Sequence, residues 1–298
     1  MTLRMGFADF AEFSVNQWES RDVDPVYPVL SALLDASGAN DEEAAWLTVH
    51  YLTFYNLASA LETWLAAGRG PASAPPRPLP CATERRGHRD DRKLLANMRG
   101  WVAAARSAGS LTDYLFGRLP SDRGEAWATL RARIEAVPGN GRWASFKYAE
   151  IAATVLHVPL QFLDMGHANS SGPRRGLALL WPDAPTGNRP RDVAVLDEYS
   201  SRLTRRLRRE TGVRFGVEHV ETMLCDAYAL VRGDYYTGRD IDVMQATLTP
   251  AQPSVRDAIL AARSAGLPRR YLGELNGWDG PDLARKRAYR DTGRLLTR

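Results

Sequence analysis

Cysteine is nearly absent: Cys81 and Cys225 are the only two in 298 residues. A disulfide framework and a cysteine-built zinc site are both excluded. The five histidines show no close metal-ligand spacing, so neither a metal nor a cofactor is expected. No apolar run approaches the roughly 20 residues of a membrane span. The acidic and polar N-terminus lacks the apolar core of a signal peptide. A soluble, intracellular chain with no membrane partner is the expectation. The GxxxxGK[ST], GxSxG and HExxH signatures are missing too, which excludes an ordinary P-loop kinase and a zinc hydrolase. Lysine is also scarce. Only Lys93, Lys147 and Lys286 occur among 39 basic residues, leaving 36 arginines and a net charge of +4. Arginine is the better residue for bidentate phosphate contacts, and here it clusters at 85–99, 202–209 and 285–298.

Hydrophobic residues make up 44% of the chain, ample for a core. Their spacing is helical almost throughout, with no internal repeat and no alternating strand pattern. The fold class expected is all-α. Ala44 to Ala67 carries apolar residues on both sides, so it reads as one long buried helix, with Asp41 placed to cap it. Residues 68–91 read as a Pro/Ala-rich loop or linker followed by a charged loop. Further helices are expected at Arg92–Ser107, Leu111–Phe116, Arg123–Val137, Trp143–Val158, Asp192–Thr211 and Val217–Arg232. Shorter pieces follow near Ile241–Ala246, Ser254–Ala265 and Asp282–Leu296. This gives N-terminal helices over 1–67, the linker 68–91, a helical core over 92–246 and a basic C-terminal extension over 247–298. All four stretches are compatible with one domain.

The densest chemistry lies at Gly172-Pro173-Arg174-Arg175-Gly176-Leu177. Gly172 allows a tight turn or close backbone approach, and Pro173 suits the first turn of a helix. Arg174 and Arg175 then sit at a helix N-terminus, where orphan N–H groups and the dipole favour an anion. Phosphate or pyrophosphate is the expected guest. The plain alternative is a capped helix start with two solvated arginines. Asp164, just upstream, is placed to accept a proton beside such an anion site, or to close an Asx turn. On Trp143–Val158 the polar residues Lys147, Glu150, Thr154 and His157 share a stripe. They line a cleft, with Glu150 as base, or face solvent. Arg202, Arg205, Arg206 and Arg209 form the basic side of Asp192–Thr211. That side would follow a nucleic-acid backbone or be merely solvated. In the loop Gly233–Asp242, Tyr235 and Tyr236 offer stacking surfaces for a base, and Arg239, Asp240 and Asp242 offer charge. The alternative is a glycine-bounded turn in which Asp240 caps the next helix.

Three of these pieces occur in order: the aromatic-rich helix with Lys147 and Glu150, the Gly172–Leu177 turn after Asp164, and Glu221, Leu224 and Cys225 followed by Gly233–Asp242. Over roughly Trp143 to Asp242 this order resembles the α-glutamyl/putrescinyl thymine pyrophosphorylase family, the amino acid:DNA transferases of phage thymine hypermodification. The family is similar in fold to helix-hairpin-helix DNA glycosylases, and to the helical domain of some 5-hydroxymethyluracil DNA kinases. The turn departs from a Gly-Pro-Gly-Ala-Arg-Arg form but keeps both arginines. The segment after Cys225 lacks the basic and aromatic continuation that is usual there.

The resemblance implies a helical, glycosylase-like enzyme in the host cytoplasm. Its substrate would be duplex DNA carrying 5-pyrophosphoryloxymethyluracil, with a 5-hydroxymethyluracil DNA kinase as a candidate partner. An amino acid or polyamine would displace pyrophosphate from a flipped base. Arg174 and Arg175, with Gly172 and Gly176 in the turn, would hold the leaving group. Asp164 or Glu150 would take the proton, Lys147 would pair with Glu150 or touch a phosphate, and Arg202, Arg205 and Arg206 would hold the backbone. A glycosylase-like enzyme and a non-catalytic DNA-binding protein are the rival readings.

Overall fold

The structure, a computed structural model, describes residues 4–248 and 250–268. The expected helix Asp282–Leu296 and most of the proposed C-terminal extension lie outside the described residues. Within them the chain is all-α. Its helices in order are α1 (Phe7–Ser20), α2 (Val26–Ser37), α3 (Asp41–Phe54), α4 (Leu57–Ala66), α5 (Asp91–Ala108), α6 (Leu111–Phe116) and α7 (Arg123–Glu135). After these come α8 (Arg142–Thr154), α9 (Gly172–Leu180), α10 (Pro190–Thr211), α11 (Val217–Val231), α12 (Arg239–Ala246) and α13 (Pro253–Gly266). No strand occurs among the described residues, and none of their helices is long and apolar enough to cross a membrane. Two compact units are present. One holds the described parts of Met1–Pro25, Phe162–Val243 and Leu267–Arg298, and the other holds Val26–Gln161 with Met244–Gly266.

The second unit is organised around α3. Asn40 caps it, accepting from the Glu43 N–H at 3.0 Å while the Glu43 carboxylate returns to the Asn40 N–H at 3.1 Å. Every residue from Ala44 to Phe54 is buried, as an apolar stripe on both sides demands. The single helix expected over Ala44–Ala67 is in fact two. Tyr55 adopts a left-handed conformation with φ of 47°. Asn56 then caps α4 by accepting from the Ser59 N–H at 3.0 Å. An Asn side chain competes for backbone donors and so favours a helix start over a helix interior. The charged segment expected as loop contains a short 3₁₀-helix, Thr83–Arg89. Helix α8 stops at Thr154 rather than Val158. Val158 precedes Pro159, which disfavours helical geometry there, and His157 turns the chain with φ of 56°.

The first unit packs α1, α9, α10 and α11 around Phe10, Phe13, Leu177, Leu196, Leu203, Leu207, Phe215 and Leu224. Helix α10 is strongly two-sided: Leu196, Leu203 and Leu207 are buried, while Arg202, Arg205 and Arg209 are exposed. The α9–α11 contact is the most extensive between helices of this unit, and two glycines allow its close approach. A Cβ on Gly172 would collide with the Cys225 thiol, and one on Gly176 would meet the Leu224 carbonyl carbon at 2.7 Å. Gly176→Ala should therefore cost about 1–3 kcal/mol, the usual range for overpacking a tight contact, read by urea unfolding. Wild-type stability in that variant would show that the two helices have room to separate.

Candidate functional site

The turn before α9 is built by short polar contacts. Asp164 accepts from the Gly166 N–H at 2.7 Å, which closes an Asx turn. Asn169 and Ser170 both donate their N–H groups to the Gly166 carbonyl, at 2.9 and 2.8 Å. His167 projects inward and is 1% exposed. Its Nε2 pairs with the Ser200 hydroxyl at 2.7 Å, and its Nδ1 has no partner. Arg174 donates from Nη1 to the His167 carbonyl and so pins the turn to the start of α9. Burial pushes the imidazole down to about 4, the Arg174 charge adds to this and Asp164 opposes it. His167 is therefore neutral near pH 7. Asp197, on α10 one turn before Ser200, is raised by burial and by the Asp164 charge. Asp164, His167, Arg174, Asp197 and Ser200 thus form one cluster.

Arg175 points the other way. It is exposed, and its guanidinium lies over the Tyr228 ring at 5.6 Å, with Arg232 at the same distance from that ring. No side chain caps α9: Ser171 makes no cap bond. The first N–H groups of the helix and the Arg175 fork are available together to an anion.

The structure does not bring all the expected catalytic residues into one unit. Asp164, Arg174 and Arg175 belong to the first, Lys147 and Glu150 to the second. Glu150 is not part of a solvent-facing stripe. It is 2% exposed, pairs with Lys147 at 2.7 Å and accepts from the Tyr27 hydroxyl at 3.0 Å. Thr154 ends the helix, and His157 lies beyond it. His157 instead lines a cleft of about 920 Å³ in the second unit, together with Asp35, Asp41 and Arg123.

Tyr235 and Tyr236, expected as stacking surfaces, are core residues at 1% and 7% exposure. Tyr235 packs edge-on against Phe13, donates its hydroxyl to Asp22 and accepts from the Gln17 amide at 2.9 Å. Tyr236 donates to Asp242 at 2.9 Å. Arg239 pairs with Asp240 at 2.6 Å. The start of α12 is held by Asp22 rather than Asp240: Asp22 accepts from the N–H groups of Gly238 at 2.6 Å and Ile241 at 3.2 Å. On α10, Arg202 and Arg206 are paired with Glu198 and Glu210 at 2.9 and 2.8 Å, and Arg205 is exposed. Among the described residues no group of three or more His, Cys, Asp or Glu side chains could hold a metal ion.

His167, Asp197, Ser200, Asp22, Gln17 and Asp226 were not singled out from sequence. His167 had one usable signal, its place between Asp164 and Arg174. Asp197 and Ser200 had the i, i+3 spacing on a helix whose other positions read as core and basic face.

Burial pushes the Asp22 carboxyl up to about 8, and the Asp240 charge adds to this. Between the ordinary value of 3.8 and about 8, the folded protein keeps a proton that the unfolded chain has released. The contribution of Asp22 to stability is therefore greatest below the lower value and is lost as pH rises through the upper one. The slope is on the order of 1 kcal/mol per pH unit. Urea unfolding of wild type and Asp22→Asn from pH 5 to 8 should show the difference moving in favour of the variant as pH rises. A difference that does not change with pH would contradict this.

With this geometry in place, a likeness to known proteins can be set beside it. A family model described as amino acid:DNA transferase matches residues 81–236, a little over half of the chain. The match takes in α5 to α11, and so the Asp164–Arg175 turn, the helix that supports it and the Lys147–Glu150 pair. The chain belongs to the amino acid:DNA transferase family, and it is an enzyme that transfers an amine-bearing donor to DNA.

Proposed function

We propose that this transferase displaces pyrophosphate from 5-pyrophosphoryloxymethyluracil in DNA with an amine, in the hypermodification of phage thymine within the host cytoplasm. The amine nitrogen forms a bond to the exocyclic methylene carbon. The carbon–oxygen bond breaks, and pyrophosphate departs with the electron pair. The nitrogen then gives up its proton. A base inside a duplex is out of reach for this chemistry, so the nucleotide must be extruded first.

The observation that carries the reading is the grouping of Asp164 and Arg174 at the uncapped start of α9, with Arg175 exposed on the same first turn of that helix. Arg175 and the first N–H groups of the helix would stabilise the departing pyrophosphate. Arg174 would hold the turn in place and add its charge. Asp164 is the better-placed proton acceptor of the two candidates, because Glu150 is already bound to Lys147 and Tyr27. His167, kept neutral, adds no further cation beside the nitrogen, which turns positive as the free amine forms its bond to carbon. Arg205 and its neighbours on α10 would follow the DNA backbone. A 5-hydroxymethyluracil DNA kinase is the class of partner that would supply the phosphorylated base.

The test is transfer to DNA bearing the pyrophosphorylated base. Arg175→Ala alone should slow it by about 10²–10³-fold, the usual loss of a preorganised donor. Arg174→Ala combined with Arg175→Ala should abolish it, and thermal unfolding would report whether the turn survives. Full activity in the double variant would rule out the assigned role. Release of the base with an abasic site would replace the transfer reading by a glycosylase-type one.

A further inference from the structure

Helix α11 turns one face toward the start of α9. The Cys225 thiol lies against Gly172 there, and Tyr228 and Arg232 follow on α11 at spacings of three and four. Tyr228 is half-buried, and two guanidinium groups meet over its ring. Arg175 reaches it from α9 and Arg232 from the end of α11, each 5.6 Å from the centroid. No more than twice that distance separates the two cations, and like charges so placed repel. Stacking on the ring offsets part of the repulsion and leaves the in-plane N–H donors of each guanidinium free. Two ordered, unspent forks of the same sign call for an anion between them.

The two arginines differ in what they already hold. Arg175 is exposed and has no carboxylate partner among the described residues. Arg232 has one, Asp234 at 2.9 Å, with about half of each side chain exposed. The backbone sets that pair. Gly233 takes a φ of 80°, and the N–H groups of Gly233 and Asp234 return to the carbonyls of Leu230 and Ala229 at 2.9 and 2.8 Å. This closure of the helix end brings Asp234 back to Arg232. An ion pair so exposed is weak, so a phosphate oxygen can replace the Asp234 carboxylate at small cost.

Arg175 shares its helix turn with the uncapped N–H groups of α9, which together are donors enough for one phosphoryl group. Arg232 brings a second fork that a single phosphoryl group leaves unused. We infer that Arg232, ordered by Tyr228 and released by Asp234, holds the terminal phosphoryl group of the leaving pyrophosphate. It thereby selects a diphosphate over a monophosphate on the base. The inference rests on the displacement reading above and deepens it. The amine nitrogen bonds to the methylene carbon, the carbon–oxygen bond breaks, and pyrophosphate takes the electron pair. Arg232 offsets the charge on the terminal phosphoryl group, which a monophosphate lacks.

Calorimetric titration of the full chain with inorganic pyrophosphate and with orthophosphate tests the site. Wild type should prefer pyrophosphate. Arg232→Ala should weaken pyrophosphate on the order of tenfold, the loss of one bidentate fork, and orthophosphate far less. Asp234→Asn, which frees that fork, should tighten pyrophosphate. Tyr228→Phe should keep wild-type affinity and Tyr228→Leu should lose it, because stacking needs the ring. Arg92→Ala, at an exposed arginine of the other unit, should change nothing, and thermal unfolding would confirm that each variant is folded. No pyrophosphate binding by wild type, an equal fall for both anions in Arg232→Ala, or weaker pyrophosphate in Asp234→Asn would each overturn the inference. Unmodified single-stranded DNA covers the other source of phosphate. Loss of its binding in Arg232→Ala with pyrophosphate affinity unchanged would make Arg232 a backbone contact instead. Transfer assays on pyrophosphorylated DNA keep the two readings apart. Adduct formation that Arg232→Ala does not slow would sink this inference and leave the transferase reading. Arg232-dependent preference for pyrophosphate without any adduct would leave the site standing and remove the transfer role.

Discussion

Two glycines four residues apart let α9 lie against α11 at a distance no side chain would permit, and much of the first unit follows from that approach. Gly172 meets the Cys225 thiol and Gly176 meets the Leu224 backbone, so the face of α9 is fixed to within a fraction of a turn. With that face committed to packing, Arg174 and Arg175 can only flank it. Arg174 folds back to the His167 carbonyl, and Arg175 leans over Tyr228. The proposed anion site would thus be a by-product of a tight helix contact: the glycines place the arginines, and the uncapped helix start would supply the remaining donors.

Around this contact the first unit keeps two electrical environments apart. At the α9 start stand Arg174 and Arg175, a neutral His167 and the carboxyl groups of Asp164 and Asp197. At the α12 start stand carboxyl groups instead: Asp22 and Asp226, both pushed up by burial, gather with Asp240 around Tyr235. Helix α11 touches both, through Cys225 on one side and Asp226 on the other.

Sequence periodicity alone identified the all-α class, the burial of α3 and the two-sidedness of α10, because those depend on local spacing. The Gly-Pro-Arg-Arg-Gly turn was legible for the same reason: its glycines, proline and arginines act within one helix turn. Helix ends were less so. The break at Tyr55–Asn56 turns on one Asn capping where an uninterrupted apolar pattern predicts continuation, and α8 ends early because of a proline beyond it. The centre at Asp22 was not legible at all. Gln17 and Tyr235 meet across 218 residues, and nothing local in the 233–242 loop reveals that its tyrosines face inward. Glu150 was marked correctly as a carboxylate beside a cation, but its burial depends on Tyr27, which the helix pattern cannot supply.

The most direct measurement is nucleoside mass spectrometry of DNA bearing 5-pyrophosphoryloxymethyluracil after incubation with the wild-type chain and a mixture of amino acids and polyamines. The account predicts an adduct in which an amine has replaced pyrophosphate on the exocyclic carbon, with the sugar–base bond intact. Unchanged nucleosides on DNA that a known transferase modifies would contradict it.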